Sequence, residues 1–229
     1  MRLLLLPGMD GTGRLFQPLL AALPPEISAI VVSYPVDRPL GYDELLPLVE
    51  VAVPAEPFVV LGESFSGPLA LMLASRRPPG LKGVVLCASF VRFPLQVSER
   101  WRDVVRPWMF RWQPTWLLAW VLLGRRAWGP LGRALRQAVR SVSPDTFAAR
   151  ARAVARVDVT CELGSCHVPI LYLRASDDMV VRPGNAALIA ARRPDAEVVV
   201  LPGPHLLVQS APHEVAAILT SWCERRALW

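Results

Sequence analysis

A serine at the turn between a strand and a helix can be made a nucleophile, and Phe58-Val-Val-Leu-Gly-Glu-Ser-Phe-Ser-Gly67 has that form. The apolar run Phe58–Leu61 reads as a strand, the stretch from Pro68 to Arg77 as a helix, and Ser64 falls at the apex between them. This geometry is a nucleophile elbow, and its strained turn leaves room only for small residues beside the serine. Gly62 is the first of these. Ser66 stands where the G-x-S-x-G form has its second glycine, and Gly67 follows. The competing reading is a serine in an ordinary strand-to-helix turn, so Ser64 must be weighed with its partners.

An alcohol attacks a carbonyl at neutral pH only with a base in hydrogen-bond reach and a third group to orient that base. Three histidines are available. His205 lies in Leu201-Pro-Gly-Pro-His-Leu-Leu, just beyond the last expected strand, whereas His213 opens the final helix and His167 precedes the strand at Ile170. Position favours His205. For the orienting carboxylate, Ile170-Leu-Tyr-Leu-Arg-Ala-Ser-Asp-Asp-Met-Val-Val181 provides Asp177 and Asp178 at a strand end. Asp178 is preferred, with Asp177 an exposed loop residue or a helix cap. A tetrahedral intermediate would also need backbone N–H donors for its oxyanion. Phe65, at the start of the elbow helix, supplies one, and Met9, in the glycine-rich loop Leu6-Pro-Gly-Met-Asp-Gly-Thr-Gly13, the other. The same loop read as a phosphate cradle lacks the P-loop lysine and the dinucleotide glycine order. Glu63, beside Ser64, could touch the site, or is a carboxylate that supports it from behind or faces solvent, and Asp10 has the same alternatives.

The elements needed to position these residues are short apolar runs alternating with helical patterns. Expected strands are Arg2–Leu6, Ile27–Ser33, Phe58–Leu61, Gly83–Cys87, Ile170–Arg174 and Glu197–Leu201. Expected helices are Gly13–Ala22, Tyr42–Val53, Phe65–Arg77, Gly184–Arg192 and Pro212–Arg226. Continuous Val/Leu/Ile runs suit parallel strands covered on both faces. The alternation predicts one α/β domain over residues 1–229, a doubly wound and mostly parallel sheet whose active residues sit at the strands' carboxyl ends. Residues 90–158 break the alternation with proline- and glycine-punctuated helical runs, and carry six of the eight tryptophans. They are expected to form a helical lid over the strand ends. Trp116 and Trp120, one turn apart, are candidates to contact an acyl or aromatic group; the alternative is that they seal the lid against the core.

Charge is regional. Arg92 to Arg156 hold thirteen arginines against three acids, although the whole chain is only +6. Such a lid could dock an acidic carrier protein or an anionic lipid surface, or be a solvated basic face. Nucleic-acid binding is not expected, since no recognised module accompanies the charge. Cys87, Cys161, Cys166 and Cys223 lack C-x-x-C spacing and read as free thiols of a reducing compartment, with Cys161, Cys166 and His167 as a weaker metal or disulfide alternative. The apolar run Trp116–Leu123 is eight residues, against the ~20 of a spanning helix. With no export signal recognised at Met1–Gly8, a cytoplasmic protein is expected.

Taken together, P-G-M-D-G-T-G, G-E-S-F-S-G, R-A-S-D-D-M-V-V and P-G-P-H-L-L resemble the α/β-hydrolase superfamily along the whole chain. The size and helical insertion resemble its small lidded carboxylesterases, among them the pimeloyl-acyl-carrier-protein methyl ester esterases. In that family the acid stands three residues after a glycine; Ala175 holds that place here, which points to Asp178. Pro7-Gly8 replaces the usual histidine-glycine pair, and Ser66 replaces a glycine. The resemblance implies a small-molecule ester substrate, no metal and no cofactor. Acyl transfer or thioester cleavage through the same acyl-enzyme, and ligand binding without catalysis, are the alternative functions.

Overall fold

The computed structural model describes residues 2–93, 105–111 and 114–228; Trp101 and Trp112 of the tryptophan-rich segment lie outside these. Six strands, β1 (Arg2–Leu6), β2 (Ser28–Val31), β3 (Phe58–Glu63), β4 (Leu81–Cys87), β5 (Ile170–Ala175) and β6 (Glu197–Leu201), form one sheet in the order β2-β1-β3-β4-β5-β6. Every pairing within it is parallel. All six sequence-based strands are present. β3 runs on through Gly62 and Glu63, which pair with Leu86 and Cys87, while β2 is shorter than its apolar run.

Side chains alternate between the two faces of a strand, and here that alternation divides the core in two. Leu4, Val60, Val84, Leu86, Ile170 and Tyr172 pack on one face, against helices α2 (Tyr42–Val51) and α3 (Gly67–Ser75). Leu3, Leu5, Val59, Leu61, Val85 and Leu173 pack on the other, against helix α1 (Gln17–Ala22) and the carboxyl-terminal helix Pro212–Arg225. The sheet is therefore doubly wound. β6 departs from the expectation of cover on both faces: it is an edge strand, and Val198 and Val200 are exposed.

Chain order runs outward in both directions from β1 and β3. Loops leaving the carboxyl ends of neighbouring strands at such a switch point diverge and leave a crevice. The Pro7–Gly13 loop and Ser64 flank it.

Between β4 and β5 lie the helices α4 (Trp108–Arg111), α5 (Thr115–Leu123), α6 (Pro130–Arg140), α7 (Pro144–Arg156) and α8 (Thr160–Ser165), and Arg92 and Asp158 form an isolated antiparallel bridge. Ala119, Leu123, Ala127, Leu135, Ala138 and Phe147 form a third cluster, which reaches the sheet domain through Leu15 and Leu206. No helix among the described residues is long and apolar enough to cross a membrane.

Gly83 in β4 lies against the ring of fully buried Trp222, and a Cβ there would come within 2.7 Å of it. Crowding a closed core costs about 1–3 kcal/mol. Gly83→Ala is expected to lower unfolding free energy by that order in urea titrations, and a variant as stable as the wild type would contradict this packing.

Candidate active site

Ser64 closes β3 with a left-handed backbone, φ 49°, and begins a 3-10 turn (Ser64–Ser66) that leads into α3. The close crossing needs Gly62, where a Cβ would meet the Ser66 carbonyl at 2.4 Å, and Gly67, where it would strike the Ser89 hydroxyl. The second small position is thus Gly67, which frees Ser66 to carry a side chain.

The three candidate residues come together. Ser64 Oγ lies 2.7 Å from His205 Nε2, and His205 Nδ1 lies 2.9 and 2.8 Å from the two oxygens of Asp178. The His205 and Asp178 side chains are only 2% and 3% exposed. Asp178 Oδ1 also accepts from the Val180 and Val181 N–H groups, both at 2.8 Å. Three donors aimed at one carboxylate hold it in place. Asp177 is exposed, and its N–H donates instead to the Gly203 carbonyl. His167 and His213 are exposed on other elements. The four cysteines are free, and among the described residues no group of His, Cys, Asp and Glu could hold a metal.

Gly8 to Gly11 form a turn closed by Gly11 N–H donating to the Gly8 carbonyl at 3.0 Å. That bond commits neither Met9 N–H nor Asp10 N–H. Gly11 and Gly13 both have positive φ, 72° and 70°. Ser66 ties this loop to the elbow: its hydroxyl donates to the Pro7 carbonyl, so the Tyr34 hydroxyl, 2.7 Å away, is the donor to Ser66. Phe65 is buried, stacked on Tyr42, whose hydroxyl donates to the Phe65 carbonyl.

Trp116 and Trp120 are 54% and 43% exposed. Neither lines the cleft of about 720 Å³ beside Asp178, whose walls include Val121, Leu123, Arg125, Met179 and Gly203. The α5 segment nevertheless reaches the site, because the Leu122 carbonyl accepts from Leu206 N–H at 3.1 Å, next to His205.

A family model described as alpha/beta hydrolase family matches residues 3–218. The chain belongs to that family. Solved structures with the same fold include a hydrolase from Oleispira antarctica, 14% identical, TM-score 0.83, covering 97% of this chain and 90% of that one. A thermophilic esterase from Thermogutta terrifontis is 21% identical, TM-score 0.82, with 99% and 90% covered. An enol-lactonase from Burkholderia xenovorans is 16% identical, TM-score 0.81, with 97% and 91% covered. No curated protein matches the chain by sequence.

Two further residues of this alpha/beta hydrolase stand out beside Ser64 and His205, the first not singled out from the sequence and the second left open there. Arg150, on α7, is completely buried. One guanidinium nitrogen donates to the Met9 and Asp10 carbonyls at 2.7 and 3.0 Å, the other to the Pro35 carbonyl at 2.8 Å. The same guanidinium lies 5.7 Å from the Tyr34 ring centroid, and Gly11 has no Cβ because Arg150 fills that space. The sequence signal was periodicity: Phe147, Arg150 and Val154 share the inward face of α7. Glu63 is the second. It is buried beside Ser64, and burial above all, with a small addition from Asp10 and an offset from Gln209, pushes its carboxyl up to about 8. It is thus not solvated, and among the described residues it meets no cation.

Arg150→Lys keeps the charge but cannot reach three carbonyls from two directions. Leaving buried acceptors unpaired costs about 1–3 kcal/mol, so chemical denaturation should show a loss of that order, and Arg150→Ala a larger one. Equal stability of all three proteins would contradict the clamp. Glu63 predicts a pH dependence. The folded chain holds this proton after the unfolded chain has released it, so stability falls as pH rises from about 4.5 to about 8. Glu63→Gln removes that loss. Its gain in melting temperature over wild type should be small at the low end of this window and largest at the high end; a gain independent of pH would refute the assignment.

Proposed function

We propose that this chain is a serine hydrolase of carboxylic esters that works through an acyl-enzyme on Ser64. The observation that carries the reading is the unbroken hydrogen-bond line from Ser64 Oγ through the His205 imidazole to Asp178. His205 Nε2 takes the hydroxyl proton as Ser64 Oγ attacks the ester carbonyl, and Asp178 holds the ring with Nδ1 protonated and stabilises the imidazolium. The oxyanion is met by the Phe65 and Met9 N–H groups, the first at the amino end of α3, the second on the loop that Arg150 and Ser66 hold. His205 then returns the proton to the leaving alcohol, and the same steps with water release the acid. No metal or cofactor enters these steps.

The substrate class proposed is an apolar acyl or aromatic ester. Val121, Leu123 and Met179 support it as apolar parts of the wall of the cleft beside Asp178, which Arg125, Arg126 and Asp177 also line. The esterase and lactonase among the structural neighbours catalyse chemistry of the same kind. The helices between β4 and β5 are proposed to act as the lid of this cleft, tied to the histidine loop through Leu122 and through Arg126, which donates to the Ser210 carbonyl at 2.9 Å.

Ser64→Ala is expected to reduce kcat on short p-nitrophenyl esters by about 10⁴-fold or more, and to abolish labelling by a fluorophosphonate probe. Undiminished turnover by the folded variant would end this mechanism.

A further inference from the structure

The surface most at odds with an ordinary soluble domain is the outer face of α5 and the turn that follows it. A helix packed on a domain normally has a polar side facing water. α5, Thr-Trp-Leu-Leu-Ala-Trp-Val-Leu-Leu, has none: only its first residue is polar. Ala119 and Leu123 are buried against the third core cluster. Trp116, Leu117 and Trp120, spaced one and four residues apart and so on one side, are exposed by 54%, 42% and 43%. Trp128, at the end of the following 3-10 turn, is 67% exposed. Contiguous exposed apolar side chains of this kind mark a surface that something else covers.

Charge identifies the covering phase. From Val105 to Arg140 the chain has seven arginines and no acidic residue. Arg125 and Arg126 directly follow α5 and are exposed. On α6, which packs against α5, Arg133, Arg136 and Arg140 fall on one face, and with Arg14 they line an open cleft of about 580 Å³. Among the described residues, the guanidinium groups of Arg14, Arg133 and Arg140 meet no carboxylate. Tryptophans backed by unpaired arginines, on an element too short to span a bilayer, form the composition of a segment that lies in a lipid headgroup layer. An acidic protein would complement the arginines but leaves the all-apolar helix unexplained.

We infer that α5 and α6 form a peripheral docking surface for an anionic phospholipid membrane. Trp116, Leu117, Trp120 and Trp128 enter the headgroup region, and the arginines that follow bind lipid phosphates. The inference does not depend on the hydrolase reading, because it concerns binding and not turnover.

The test is co-sedimentation of the full chain with phosphatidylcholine vesicles, with and without 30% phosphatidylglycerol. Binding to the anionic vesicles, a blue shift of tryptophan emission, and weakening as salt rises from ~0.1 to ~1 M, where the Debye length falls from ~10 to ~3 Å, are expected. Arg125→Ala and Arg133→Ala should each weaken binding by roughly five-fold. Trp116→Ser with Trp120→Ser should abolish it while the circular dichroism melt stays cooperative. Equal binding to neutral vesicles, or no binding to either kind, overturns the proposal. So does binding to soluble polyglutamate that survives the double tryptophan substitution, which would assign the surface to an acidic protein.

Discussion

The geometry of this site depends on one backbone conformation, the left-handed turn at Ser64. A non-glycine residue there costs about 1–2 kcal/mol, so the surroundings must hold it. Ser89, just past β4, donates its hydroxyl to the Ser64 carbonyl at 2.5 Å, and Tyr172 of β5 donates to the Ser89 carbonyl at 3.0 Å. Tyr42 on α2 grips the next carbonyl and stacks on the next side chain. Three separate elements thus fix the apex of a fourth. With the hydroxyl held in this way, a histidine delivered by a different loop can be placed against it once, by that loop's own contacts.

The same logic explains the departure at Ser66. In the G-x-S-x-G form this position is glycine because the crossing is tight. Here the tight contacts fall on Gly62 and Gly67, and the serine hydroxyl spans the gap between Tyr34 and Pro7. Arg150 grips the Pro7–Gly13 loop from the other side through the Met9 and Asp10 carbonyls. In the proposed mechanism, a loop pinned from both directions presents the Met9 N–H without reorganising, and preorganised dipoles are what stabilise a developing charge most. The clamp comes from α7, so the helices between β4 and β5 take part in building the site.

How much of this was legible follows from which interactions are local. Each strand is an apolar run with its own turn signals, so the sheet could be read directly. Ser64, Asp178 and His205 each follow such a run, and their convergence needs only the rule that loops at one sheet edge meet. Boundaries were harder where tertiary pairing decides them: Gly62 and Glu63 join β3 because Leu86 and Cys87 lie opposite. β6 is apolar enough for a central strand, and only its place last in the order leaves Val198 and Val200 open. Arg150 was hidden among thirteen arginines, since composition cannot show that one guanidinium faces inward toward carbonyls far away in sequence. Trp116 and Trp120 show the reverse case. Their spacing was legible, but spacing alone does not decide which way a helix turns its face.

Two carboxyl groups near the histidine line show that environment, and not residue type, assigns a role. Asp178 receives two backbone N–H donors and faces the imidazole Nδ1. Glu63 shares the edge of the sheet but among the described residues has no cation and no backbone donor, and its Oε1 lacks a hydrogen-bond partner there. In the mechanism proposed above, a negative charge there would oppose the alkoxide and oxyanion character that develops on its neighbour, Ser64. Burial removes the conflict by keeping the proton on Glu63 near neutrality. Two acidic residues on one sheet edge thus have opposite surroundings, one met by several donors and the other buried almost without them.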